Sequence, residues 1–145
     1  MDRRESPYDG FIMEHIRDAR NFRALPAANR ESTGINPLCG DQVTVQLRLV
    51  NGRVEEAAFQ CQCCGISMAS TSMMTVWVTG LNVAGALDFV REFIGRLSGK
   101  SGAAPGKGSQ IECALLATVQ EFPSRTGCAI LPWTTLESML AKEEK

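Results

Sequence analysis

The stretch VTVQLRLVNGRVEEAAFQ, residues 43–60, decides the fold. Val43, Val45, Leu47 and Leu49 alternate with Thr44, Gln46 and Arg48, the period of a strand with one buried face. Asn51-Gly52 suits the tight turn of a two-residue hairpin, so residues 53–60 return as a second strand. Such a turn pairs Val50 with Arg53, Arg48 with Glu55 and Thr44 with Phe59. Carried outward, the same count sets Cys39 across from Cys64 and Asp41 across from Gln62. It also puts Glu56 and Gln60 on the face of Val45 and Val43, and a bulge would shift this pairing by one residue. With or without the bulge, Cys39, Asp41 and Cys64 converge at one end of the sheet.

Helical signals surround the hairpin. Ser6, Pro7 and Asp9 read as a helix start, followed by Tyr8, Phe11, Ile12, His15, Ile16 and Ala19 on one face. Residues 21–38, with Pro26, Gly34 and Pro37, read as a loop or short edge strand. Ser67 is placed to cap a central helix that runs to about residue 79, where Gly80 stops it. Asn82 caps the next helix, whose Val83, Leu87, Val90, Ile94 and Leu97 follow helical spacing. Residues 98–109, SGKSGAAPGKGS, form a flexible loop by composition. A helix with Ile111, Leu115, Val119 and Phe122 on one face ends at Pro123. In the last helix Trp133, Leu136, Met139 and Leu140 point inward, and Thr134 with Glu137 makes a capping box. The expected fold is α+β: a small antiparallel β-sheet of about three strands packed against about five α-helices, as one domain over residues 1–145.

Fifteen basic and sixteen acidic residues leave a net charge of −1, with no dense Lys/Arg run. That balance argues against nucleic acid or an anionic membrane as the main partner. The start, MDRRESPYDG, lacks the apolar core of a signal peptide, and no apolar run is long enough to span a bilayer. The expected location is the cytoplasm, where thiols are kept reduced. Six cysteines in such a compartment point to metal or sulfur chemistry more than to structural disulfides.

Cys64 precedes the proposed cap at Ser67, and Cys128 likewise precedes a helix, where unpaired amides and the helix dipole favour a thiolate. With Cys128 as fourth donor, Cys39, Asp41 and Cys64 make a set of three thiolates and one carboxylate that suits tetrahedral zinc or an iron centre. Spacing alone leaves other readings open. Cys61-Gln62-Cys63-Cys64 contains a Cys-x-x-Cys between strand and helix, the setting of a thiol–disulfide redox protein, although no βαβ pattern precedes it. A metal-binding protein without sulfur transfer would use the same donors. Cys113, on the flank of a helix, reads as a core residue, and the single His15 as structural.

Four segments together resemble a known family. YDGFIMEHIRDARNF, NPLCGD, GISMASTSMM and FPSRTGCAILPW resemble, in order, the motifs of the iron–sulfur cluster assembly scaffold proteins SufU, IscU and the NifU N-terminal domain. The SufU branch looks closest, through the insertion before the last cysteine motif and the Pro-x-Arg then Cys-Ala-x-Leu-Pro-Trp pattern. The resemblance implies that Cys39, Asp41, Cys64 and Cys128 bind zinc or hold iron or a transient iron–sulfur cluster. It further implies that the chain receives persulfide sulfur from a pyridoxal-phosphate cysteine desulfurase of the SufS kind, acting as scaffold or sulfur relay toward downstream assembly or acceptor proteins. On this reading Cys39 is the first choice of sulfur acceptor, Cys128 the alternative, and Arg125 of the Pro-x-Arg motif supports the transfer. Zinc would hold the acceptor as a quiet thiolate until a partner displaces one ligand, and the harder Asp41 oxygen would keep that metal labile. The family usually has glycines at positions 61 and 63, where this chain has cysteines. It also has proline where Ala19 stands, and lysine or histidine where Gly127 stands.

Overall fold

The computed structural model describes residues 19–37, 40–97 and 126–143. Its three strands are β1 (Arg30–Asn36), β2 (Asp41–Val50) and β3 (Arg53–Gln62), forming one antiparallel sheet in the order β1-β2-β3. Three helices follow, α1 (Gly65–Val78), α2 (Val83–Leu97) and α3 (Thr126–Lys142). The fold is therefore α+β, and the stretch between Asn21 and Pro37 does contain the edge strand. The helices expected from Ser6 and over 111–122, the loop 98–109, and with them His15 and Cys113, lie outside the described residues.

The hairpin turn forms as its dipeptide requires, with Asn51 at φ 54° and Gly52 at φ 76°. The register differs from the simple count. Val50 pairs with Arg53 and Leu49 with Val54, but Arg48 pairs with Glu56, so Glu55 is an extra residue in a bulge. The reason is burial: the shift sets Ala57, Phe59 and Cys61 opposite Leu47, Val45 and Val43, where the unbulged count had placed charged Glu56 and polar Gln60. Arg48 now bridges to the bulged Glu55 at 2.9 Å. The Asn29 side chain holds Leu49 beside the bulge, accepting its N–H and donating to its carbonyl, each at 2.8 Å.

Val43, Val45 and Leu47 form the buried face of β2 and join one core with α1, α2 and α3. α1 is buried nearly all round, as its composition predicts, and its internal polar groups are paired. Thr71 donates to the Ser67 carbonyl and Thr75 to the Ser72 carbonyl, both at 2.7 Å. Asn82 caps α2 through a 2.7 Å bond from the Gly85 N–H. Trp77, Phe89, Phe93 and Trp133 pack between the helices, edge-on or tilted except for the stacked Phe89–Phe93 pair, with Phe93 and Trp133 centroids 4.5 Å apart.

α3 lies along edge strand β1, and Gly34 is the reason it approaches so closely. A Cβ on Gly34 would collide with the Thr135 hydroxyl and press Leu131 Cδ1 at 3.2 Å. Gly34→Ala should therefore destabilise the protein by about 1–2 kcal/mol through overpacking, read as a lower denaturant midpoint at unchanged slope. At the far end of the same contact Arg30 forks onto Glu143 at 2.6 and 2.9 Å. The hydrogen bond from Arg30 holds the Glu143 carboxyl below its ordinary range. This exposed clamp is present above that range and is lost as pH falls through the lowered value.

Candidate metal centre

The turn between β1 and β2 and the N-termini of α1 and α3 meet at one corner of the molecule. Asp41 opens β2 and is the mate of Asn36 across the β1–β2 pair. Gly40 takes φ 79°, which favours glycine, and its N–H bonds the Asn36 carbonyl at 2.8 Å. By parity along β2, Asp41 shares the buried face of Val43, and it is 5% exposed. Its Oδ1 accepts the Cys64 N–H at 3.1 Å, and its Oδ2 lies 2.8 Å from the Ser67 hydroxyl.

Cys64 sits at the N-cap of α1 with extended backbone, so Ser67 is not the cap that the sequence suggests. Ser67 is instead the third residue of the helix, completely buried, with its hydroxyl turned into the site. Cys128, expected just before a helix, lies in the first turn of α3, which starts at Thr126 and continues through Pro132. The expected capping box at Thr134 does not form, and the Thr134 hydroxyl bonds the Leu131 carbonyl one turn back at 3.1 Å. A proline inside a helix cannot donate to the carbonyl four residues earlier, and for Pro132 that carbonyl belongs to Cys128. Ser67 takes it at 2.8 Å. One turn along α1, Ser70 donates to the Ala129 carbonyl at 2.7 Å and accepts the Trp133 indole N–H at 2.8 Å. The two serines fasten α1 to the start of α3, and α3 tolerates its proline because α1 supplies the missing donor.

This fastening brings three donors together. The Asp41 carboxylate and the Cys64 and Cys128 thiols all lie within 4.8 Å of one another, with Asp41 and Cys128 buried and Cys64 half-buried. Neither sulfur belongs to a disulfide. Two soft sulfurs and one oxygen at that separation suit a tetrahedral ion such as zinc, whose bonds to sulfur and oxygen are about 2.0–2.3 Å, with only a small contraction of the site. The N-termini of α1 and α3 add their positive dipole ends beside these donors. Cys39 and Arg125 lie outside the described residues. Ser67, which touches Asp41, Cys128 and at 3.8 Å the Cys64 sulfur, was not legible as a site residue from its own neighbours. Its signal is Pro132, four residues after Cys128, which announces a carbonyl in need of a donor.

Cys61 and Cys63 are joined by a disulfide, with Cα atoms 5.5 Å apart. That pairing sets aside the alternative of a Cys61-x-x-Cys64 redox pair. β3 ends between them, at Gln62, and leaves Cys61 and Cys63 within bridging distance of each other, while Cys64 turns into the helix and faces Asp41 and Cys128.

Comparison with known proteins identifies the family of the chain. The profile of the NifU-like N terminal domain matches residues 7–129. The chain is 36% identical over 137 residues to the zinc-dependent sulfurtransferase SufU of Bacillus subtilis strain 168, spanning 94% of this chain and 91% of the relative. It is 30% identical over 136 residues to the iron–sulfur cluster assembly scaffold protein IscU of Thermotoga maritima, spanning 93% of each. Its fold superposes with TM-score 0.82 and 28% identity on a crystal structure described as a SUF-system iron–sulfur cluster assembly scaffold (FiSufU) from Fervidobacterium islandicum AW-1, over 92% of this chain and 96% of that one. With a family profile matching most of its length and relatives at 30–36% identity over more than nine-tenths of it, the chain belongs to the NifU-like N-terminal domain family.

Proposed function

We propose that this protein is an iron–sulfur cluster assembly protein that binds zinc or iron and accepts persulfide sulfur from a pyridoxal-phosphate cysteine desulfurase of the SufS kind. The observation that carries this reading is the corner itself: one buried carboxylate and two cysteine sulfurs outside any disulfide, within 4.8 Å of one another, in a chain related to a zinc-dependent sulfurtransferase. Asp41, Cys64 and Cys128 hold the metal, with Cys39, two residues before Asp41 in sequence, as the fourth ligand and first sulfur acceptor. Cys128 is the alternative acceptor, and Arg125, one residue before α3, supports the transfer. When bound, zinc keeps its thiol ligands deprotonated and masks them as nucleophiles. The chain's own contribution is positional. The Cys64 amide and Ser67 hydroxyl hold both Asp41 oxygens, so the carboxylate stays in place when a thiol turns to an incoming sulfur. Iron or a nascent cluster is cargo at the same donors, passed on to downstream assembly or acceptor proteins. The cytoplasm, where thiols stay reduced, is the setting in which such a site works.

The test pairs metal analysis of the protein as isolated with turnover of a cysteine desulfurase. About one zinc per chain and a raised desulfurase rate are expected, with the stimulation lost in Cys39→Ala. Absence of metal together with an unchanged rate would sink the proposal. Bound metal with an unchanged rate would instead identify a metal-holding protein without sulfur transfer.

A further inference from the structure

The metal centre accounts for Cys64 and Cys128 and leaves the Cys61–Cys63 pair without a task. The pair sits where β3 ends, one residue before a metal-centre thiol, and its peptide link continues directly into the Cys64 N–H that binds Asp41 at 3.1 Å. Both cysteines are half-buried and packed against the core that also holds Cys64 and Cys128. From the other side, an open groove lined by Phe22, Gln42, Thr44, Gln60 and Gln62 reaches Cys61. A dithiol that adjoins the sulfur-handling corner and also faces solvent is placed to pass electrons between them.

The geometry points to a second activity: Cys61 and Cys63 form a built-in dithiol that reduces sulfane sulfur delivered to the metal centre and releases it as sulfide. The inference rests on the sulfur-acceptor reading above. In the first step Cys63 attacks the outer sulfur of a persulfide at the centre. The S–S bond of that persulfide breaks, the acceptor leaves as a thiol, and Cys63 becomes Cys63–S–SH. In the second step Cys61 attacks the inner sulfur of Cys63–S–SH, which forms the Cys61–Cys63 disulfide and expels HS−, protonated by the proton that Cys61 gives up. Two thiols are oxidised by two electrons, and one sulfane sulfur is reduced to sulfide. The disulfide present between these residues is the product state, and an external dithiol reductant entering by the groove regenerates the thiols. Cluster assembly needs sulfide rather than sulfane sulfur, so the pair would supply the reducing half of that chemistry.

The experiment uses the full-length, metal-loaded protein, reduced and freed of reductant without air, with a trace of a cysteine desulfurase and a limiting amount of cysteine as sulfur source. Wild type should release about one sulfide per sulfur supplied, with the matching share of chains ending as the Cys61–Cys63 disulfide, whereas Cys61→Ser should stop after the first step with sulfur retained on Cys63. A Cys61→Ser, Cys63→Ser double variant should keep its zinc, gain the mass of one sulfur at the centre and release at least about tenfold less sulfide. Equal sulfide from wild type and double variant would overturn the inference, as would wild type retaining its sulfur beside two free thiols. If the double variant gains no sulfur at all, the acceptor reading fails and this inference with it.

Discussion

Removing either described thiol of the corner, by Cys64→Ala or Cys128→Ala, should lower zinc affinity by more than about 100-fold, since loss of a mere outer-shell partner already costs 10–100-fold. Competition with a chromophoric chelator reads the change directly. The two variants should differ in stability. Cys64 is half-buried at a helix cap, so its truncation opens toward solvent, whereas Cys128 is 3% exposed and belongs to the common core. The Cys128 variant should therefore also lose stability in the metal-free form. A Cys128→Ala protein that held zinc as tightly as wild type would remove Cys128 from the ligand set.

Ser67→Ala should be the most damaging single change outside the ligands. It withdraws the single hydroxyl proton that the Asp41 carboxylate and the Cys128 carbonyl share, both acceptors lying 2.8 Å from the Ser67 oxygen in a site with no exposure at Ser67. Hydrogen bonds to charged groups contribute about 1.5–3 kcal/mol, so a loss of about 2–3 kcal/mol is expected, accompanied by weaker zinc binding because Asp41 loses a tether. Adding Pro132→Ala gives α3 an N–H at position 132 that can reach the Cys128 carbonyl. The double variant should recover part of the stability while leaving the weaker metal binding in place. If the two changes were simply additive, Ser67 would not be standing in for the missing helix bond.

Local chemistry made the hairpin legible. Asn51-Gly52 and the alternation of Val43, Val45 and Leu47 suffice to place the turn and the buried face, and Asn82 and Gly80 mark helix boundaries through their own caps. The bulge at Glu55 was visible only as a conflict, because burial of Phe59 rather than any turn preference decides which residue is extra. α3 was misread for a related reason. Pro132 is a helix breaker locally, and only a serine on another helix makes it acceptable. The meeting of Asp41 with Cys64 follows from strand pairing, whereas Cys128 joins them through Ser67 and Ser70, a tertiary arrangement that spacing cannot express. The Cys61–Cys63 pairing is hidden in the sequence because Cys61 and Cys64 share a familiar spacing, while the end of β3 at Gln62 brings the Cα atoms of Cys61 and Cys63 to 5.5 Å.

The bulge at Glu55 also sets the parity of everything that follows it. From Gly52 to Cys61 the chain runs roughly 30 Å of strand, and the bulge holds the one residue by which this path exceeds a plain hairpin. Deleting Glu55 would straighten the strand and leave Phe59 and Cys61 opposite Val45 and Val43, so Cys64 would still reach Asp41 in phase. A second deletion has no spare residue to absorb it and would send Phe59 and Cys61 to the opposite face. The bulge is thus a one-residue reserve of length, and the metal corner is exposed only to the step beyond it.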